Sequence, residues 1–163
     1  MGKRCCCSEK LSNLYIYNMP TVPIYKSFET ELRVRPDDID MFRHVHNSKY
    51  LDYVLAARYD QMDQCYGMSM EMFIKRGFGW VVKAVQINYK RSLILGDRFT
   101  VRSQIDMIDE DVCRVNFTIK NTSTLKTCSN GWFDFVMIDL KNNKGVKIPV
   151  DVIEHYTSFV EEA

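Results

Sequence analysis

Apolar and polar side chains alternate along several stretches of this chain, and one stretch repeats at spacings of three and four instead. Phe28, Thr30, Leu32 and Val34 alternate with Glu29, Glu31, Arg33 and Arg35 until Pro36 interrupts them. Successive side chains of a strand leave opposite faces, so this pattern predicts a half-buried strand. Phe99, Val101, Ser103, Ile105 and Met107 oppose Arg98, Thr100, Arg102, Gln104 and Asp106 in the same way, and Cys113, Val115, Phe117 and Ile119 mark a third such strand over 112–121. Two more strands are predicted over 80–91 and 128–140. In the last of these, Trp132, Val136 and Ile138 fall on one side and Phe133, Phe135 and Met137 on the other. Both faces therefore need protein against them, and a second subunit would supply one cover.

Leu51, Val54, Leu55, Tyr59 and Met62 recur at helical spacing, which predicts one long helix over 47–64 with His46 or Asn47 as its N-cap. Residues 66–79 hold three glycines and no clean period, and are read as a loop with one helical turn. Asp109 to Asp111 makes a turn, Asn142 to Gly145 closes the last strand, and a short helix begins at Pro149. The expected fold is α+β, with a five-stranded, largely antiparallel sheet wrapped around one long central helix. Residues 25–163 are expected to form one domain, preceded by a poorly ordered tail over 1–24.

Composition narrows the function. The 22 Lys and Arg against 21 Asp and Glu leave a net charge of +1, which argues against a nucleic-acid partner or broad attraction to a membrane surface. No apolar run approaches the ~20 residues of a membrane-spanning helix, so a soluble, cytoplasmic protein without stable membrane insertion is expected. The six cysteines form no CxxC pair and no spaced Cys/His quartet, which gives no reason to expect a metal site. Cys65, Cys113 and Cys128 are read as reduced core thiols. Cys5 to Cys7 follow a Met-Gly start, yet the sixth position is Cys6 where an N-myristoylation signal has Ser or Thr.

The chemistry concentrates between Asp38 and Tyr50, in Asp38-Ile-Asp-Met-Phe-Arg-His-Val-His-Asn-Ser-Lys-Tyr50. A carboxylate, Asp40, stands just ahead of a predicted helix N-terminus, where unpaired backbone N–H groups carry a partial positive charge of roughly half a unit. That pairing suits attack on a carbonyl. An Asp before a helix is more often only a turn former, and spacing alone leaves both roles open. Gly67-Met-Ser-Met-Glu71 is not a Gly-x-Ser-x-Gly elbow, so no hydroxyl nucleophile presents itself.

With this order of elements and this motif, the chain resembles the hotdog-fold acyl-CoA thioesterases of the 4-hydroxybenzoyl-CoA thioesterase-like family. The family pattern Asp-x-Asp-x-x-Gly-His-Val-Asn-Asn-x-x-Tyr-Leu is met by Asp38, Asp40, His44, Val45, Asn47, Tyr50 and Leu51, with Arg43 in place of its Gly and His46 in place of its first Asn. The plant acyl-carrier-protein thioesterases look similar over the same stretch. The resemblance implies that Asp40 is the catalytic carboxylate, acting as nucleophile or as general base, and that the backbone N–H of Asn47 polarises the thioester carbonyl. His44 is expected to hydrogen-bond across the turn or to act directly. Arg43, His46, Tyr50, Lys90 and Arg91 are candidates to contact substrate. For His46 the competing reading is N-capping or exposure, for Tyr50 and Tyr53 packing, and for Lys83, Lys90, Arg91 and Arg98 a solvated sheet edge. Met62, Met68, Met70, Met72 and Phe73 would line an acyl tunnel or simply fill core. The implied reaction is hydrolysis of an acyl-CoA to free acid and CoA by a homodimer or homotetramer, with no cofactor. Its alternatives are an acyl-carrier-protein thioesterase, disfavoured by the single repeat, and a binding module that has lost hydrolysis.

Overall fold

Alternation and helical period become, in chain order, β1 (Ser27–Arg33), a 3-10 turn (Pro36–Asp38), α1 (Lys49–Gln64), α2 (Met70–Lys75), β2 (Phe78–Tyr89), β3 (Arg98–Ile108), β4 (Cys113–Asn121), β5 (Thr127–Asp139), β6 (Lys144–Val146) and α3 (Val150–Thr157). These come from a computed structural model that describes residues 23–161. The expected N-terminal tail, with Cys5 to Cys7, falls almost wholly outside the described residues. All the described strands join one sheet in the order β1-β3-β4-β5-β2, with β6 beside β5, and every pairing is antiparallel.

The sheet has six strands where five were expected. Asn142 to Gly145 does not end the chain's pairing but turns it back. Asn143 takes a left-handed φ of 55° and its N–H donates to the Asp139 carbonyl at 2.8 Å, so β6 can pair with β5 along the line where β4 stops. Asn tolerates that conformation better than most residues, which is why it can make so tight a turn.

α1 packs its inner side on the sheet, with Tyr53 against Phe99 at 4.9 Å between ring centroids. That inner side is not the expected stripe. Tyr50, Tyr53, Val54, Ala57, Arg58, Gln61 and Met62 are buried, whereas Leu55 and Tyr59 are exposed. Gln61 explains part of the rotation: its amide Nε2 donates to the carbonyls of Phe28 and Val101, each at 3.3 Å, and to Thr30 Oγ1 at 3.1 Å, so one buried polar side chain ties α1 to β1 and β3. A buried amide that finds its partners costs little, and a hydrophobicity count overlooks it. β3 departs from its expected face at one place. A register shift between Ile105 and Met107 leaves Met107 exposed, because the extra residue of a bulge ends the strict alternation. On the outer face of β5, Trp132 is covered by the chain's own Arg114, whose guanidinium lies 4.4 Å from the ring centroid.

Candidate active site

The motif residues form a tight turn followed by the entry of α1. Asp40 is half-buried and organises the turn: its Oδ1 accepts the backbone N–H of Phe42 at 2.8 Å and of His44 at 3.1 Å. Its own N–H donates to the His44 carbonyl at 2.8 Å, and its carbonyl accepts the Arg43 N–H at 3.0 Å. No donor among the described residues engages Oδ2. Asp40 is thus a turn former with a carboxylate oxygen to spare.

Arg43 closes the turn at φ 63°, the left-handed region that suits the glycine of the family pattern. Its side chain is exposed, as are Met41 and Phe42 at the tip, which are 89% and 71% accessible. The bonds expected of His44 across the turn are made by its backbone, while its ring is exposed and has no partner among the described residues. The segment is held from both sides: His46 N–H donates to the Asp38 carbonyl and Val45 N–H to the Leu93 carbonyl, each at 2.8 Å.

The helix starts later than expected. Lys49 is its first residue, and Ser48, at the N-cap, makes no side-chain cap bond. His46 instead caps the turn that leads in, with its Nδ1 accepting the Ser48 N–H at 3.3 Å and lying 2.9 Å from Ser48 Oγ. Asn47 accepts the Tyr89 hydroxyl on its carbonyl at 2.9 Å, and its N–H donates to nothing among the described residues. Tyr50 is buried, accepts the Leu93 N–H on its hydroxyl at 2.9 Å and packs edge-on to Tyr89, so it braces the loop after β2. Lys90 and Arg91 lie in that loop, next to the motif. Both are exposed, and the Arg91 guanidinium already donates to the Thr127 carbonyl at 3.1 Å. Arg98 is exposed and paired with Glu31 at 2.8 Å.

The sequence matched Asp38 to the family pattern but assigned it no role. Only 4% accessible, it accepts the Tyr53 hydroxyl at 2.6 Å and Arg35 Nε at 2.7 Å on Oδ2, with Lys49 Nζ 3.8 Å from Oδ1. Burial alone would raise its carboxyl, but the bonds from Tyr53 and Arg35 and the charges of Arg35 and Lys49 outweigh that and hold it below the usual carboxylate range. The Tyr53 hydroxyl is pushed up, by burial first and then by its bond to Asp38. This network anchors the chain just ahead of Asp40. The signal for it was Tyr53, one helical turn beyond Tyr50 and carrying a polar tip that burial obliges to find a partner.

Further along α1, a cavity of about 320 Å³ opens between the helix and β2. Its lining is mostly apolar and includes Met62 and Met70 of the expected methionine group. Phe73 instead packs edge-on against Trp80 at 5.6 Å and is buried, and Met72 is exposed. No group of His, Cys, Asp and Glu among the described residues is arranged to hold a metal ion. No described helix is long and apolar enough to cross a membrane.

The sequence profile of the thioesterase-like superfamily matches residues 34–156. The long-chain acyl-CoA thioesterase FadM of Escherichia coli is 26% identical over 133 residues, which span 82% of this chain and 99% of that protein. Among solved structures, a DHNA-CoA thioesterase from Staphylococcus aureus superposes with a TM-score of 0.76 at 19% identity, over 81% of this chain and 89% of its own. The probable thioesterase YbaW from Escherichia coli superposes at 0.70 with 25% identity, over 82% and 98%. The fold is the hotdog arrangement of these thioesterases.

Proposed function

The chain belongs to the thioesterase-like superfamily, and from that premise we propose that it hydrolyses an acyl-CoA thioester to a free carboxylic acid and CoA. The observation that carries the site assignment is the division of labour within one carboxylate. Asp40 Oδ1 is locked by two backbone N–H groups, so Oδ2 is oriented and, among the described residues, without a donor. That oxygen either attacks the thioester carbonyl carbon, expelling the thiolate of CoA and leaving a mixed anhydride that water then hydrolyses to the free acid and Asp40, or it takes the proton of a water that attacks the carbonyl directly, after which the tetrahedral intermediate expels the thiolate. The N–H of Asn47, unengaged among the described residues and at the entry of α1, receives the developing oxyanion, and the partial positive charge of the helix terminus adds to it. One such donor is worth about 3 kcal/mol of barrier.

The acyl chain runs from this turn along α1 to the cavity. Leu55 and Met62, which bound the cavity on the helix, stand about 12 and 22 Å from Asn47 along the axis. That reach suits a long chain, in line with FadM, a long-chain acyl-CoA thioesterase that the match spans almost from end to end. A second subunit completes the assembly in this reading. The outer edge of β2 has no partner strand among the described residues and carries half-exposed Val81, Val85 and Tyr89. The described cysteines, Cys65, Cys113 and Cys128, are free thiols, as suits a cytoplasmic protein.

Thiol release from CoA esters of short, long and aromatic acids tests the proposal. The expected result is turnover with kcat/KM highest for the long chains. Cleavage of acyl-carrier-protein esters alone would move the substrate to that carrier, and binding of acyl-CoA without thiol release would make the chain a binding module.

A further inference from the structure

The cavity holds a charge that nothing among the described residues balances. Its rim is apolar and exposed, formed by Leu55 and Tyr59 of α1 and Val81 and Val82 of β2. Its floor contains Arg58, only 7% accessible. The guanidinium donates through Nη1 to Ser103 Oγ at 3.2 Å and lies 5.2 Å from the centroid of the Tyr66 ring. Arg35, Arg76, Arg98 and Arg114 each pair with a carboxylate, but Arg58 pairs with none among the described residues. Trp80 lines the same cavity, and its Nε1–H is buried without an acceptor among those residues. A cation and an N–H withdrawn from water are costly unless something pairs with them.

We propose that the cavity selects acyl groups whose far end is a carboxylate, with the apolar chain between α1 and β2 and the terminal carboxylate paired with Arg58 and within the field of the Trp80 N–H. A plain alkyl end would leave the guanidinium as unbalanced as it is without a ligand. A neutral hydroxyl or oxo end would accept one bond without neutralising the charge, whereas a carboxylate matches the guanidinium fork and supplies the counter-ion. Arg58 stands about 16 Å from Asn47 along the helix axis, and an extended chain advances ~1.2 Å per bond, which together point to a chain on the order of a dozen carbons. The proposal rests on the thioesterase reading for the other end of the ligand, though the cavity can be tested without turnover.

Two measurements separate the readings. Calorimetric binding of the monomethyl and dimethyl esters of dodecanedioic acid, at neutral pH, compares one free carboxylate with none. Wild type is expected to prefer the monomethyl ester by about tenfold, Arg58→Met to lose that preference, and Arg58→Lys to keep part of it. Thiol release from dodecanedioyl-CoA and dodecanoyl-CoA should show a similar ratio of kcat/KM in wild type and its collapse in Arg58→Met. Should Arg58→Met fail to fold, Trp80→Phe removes the second donor at nearly constant shape and should lower both ratios severalfold. Equal binding of the two esters by wild type overturns the proposal, and a preference that survives Arg58→Met overturns the assignment to Arg58. A carboxylate preference in binding without thiol release from either CoA ester would instead refute hydrolysis and leave the cavity's specificity standing.

Discussion

The two oxygens of Asp40 differ, Oδ1 holding the turn and Oδ2 proposed for the chemistry, and substitution can separate the two roles. Asparagine keeps an oxygen where Oδ1 accepts the N–H groups of Phe42 and His44, so the turn survives, but it puts an amide where Oδ2 stands free. Alanine removes both functions. Each lost bond to a backbone N–H costs ~0.5–1.5 kcal/mol net. The site is only half-buried, so water recovers part of this and the turn should lose about 1–2 kcal/mol in Asp40→Ala. For a domain of this size, that lowers Tm by roughly 2–8 °C. Asp40→Asn should melt within about 2 °C of wild type. Both variants should lose about 10²- to 10⁴-fold in thiol release from a long-chain acyl-CoA, the usual contribution of a positioned carboxylate. Calorimetric melts beside a thiol-release assay read both quantities. Turnover by Asp40→Asn within a few-fold of wild type would refute the chemical role of Oδ2, and a melt of Asp40→Asn as low as that of Asp40→Ala would refute the turn role of Oδ1.

Arg43 sits at φ 63° with an exposed side chain, a conformation that costs an L-residue about 1–2 kcal/mol. Arg43→Gly recovers that, less about 0.4–1 kcal/mol of extra freedom in the unfolded chain. A net stabilisation of about 0.5–1 kcal/mol in urea unfolding is therefore expected, and a net loss would contradict the backbone reading. Asp38→Asn should cost about 1–3 kcal/mol at neutral pH, because Tyr53 and Arg35 bond a charged acceptor. The native carboxyl titrates below its unfolded value of about 4. Its contribution is therefore complete above that pH and fades as pH falls through the native pKa, so the stability gap between wild type and Asp38→Asn should close in acid; a gap that widens there has the wrong sign. At Gly131 an added Cβ would lie 1.9 Å from the Gln86 carbonyl oxygen of the neighbouring strand. Gly131→Ala should force β5 and β2 apart and cost about 2–3 kcal/mol, and an unchanged urea midpoint would show that the strands do not approach so closely.

Features that depend on residues near one another in the chain were legible in the sequence. The alternation in β1, β3 and β4 survives folding because a strand must place neighbours on opposite faces wherever it pairs. The turn at Asp40 was legible for the same reason, since its bonds reach no farther along the chain than His44. The motif also located the entry of α1 to within two residues, and the shift arose because His46 uses its ring to cap a preceding turn.

What pairs distant segments was not legible. Asp38 is in the sequence only a match to the family pattern, and its partner Tyr53 comes from the second turn of α1; Gln61 carries no signal in the sequence, and its three acceptors lie on β1 and β3. Those acceptors, with the packing of Tyr53 on Phe99, help set which side of α1 faces inward, with Leu55 and Tyr59 exposed as a rim and Arg58 buried beneath them. Local sequence determined the elements and the turn at Asp40, because periodicity and turn bonds act over a few residues. The rotation of the helix, the cavity and the burial of Arg58 in it were decided by the tertiary structure alone, because burial and pairing are properties of segments brought together from far apart in the chain.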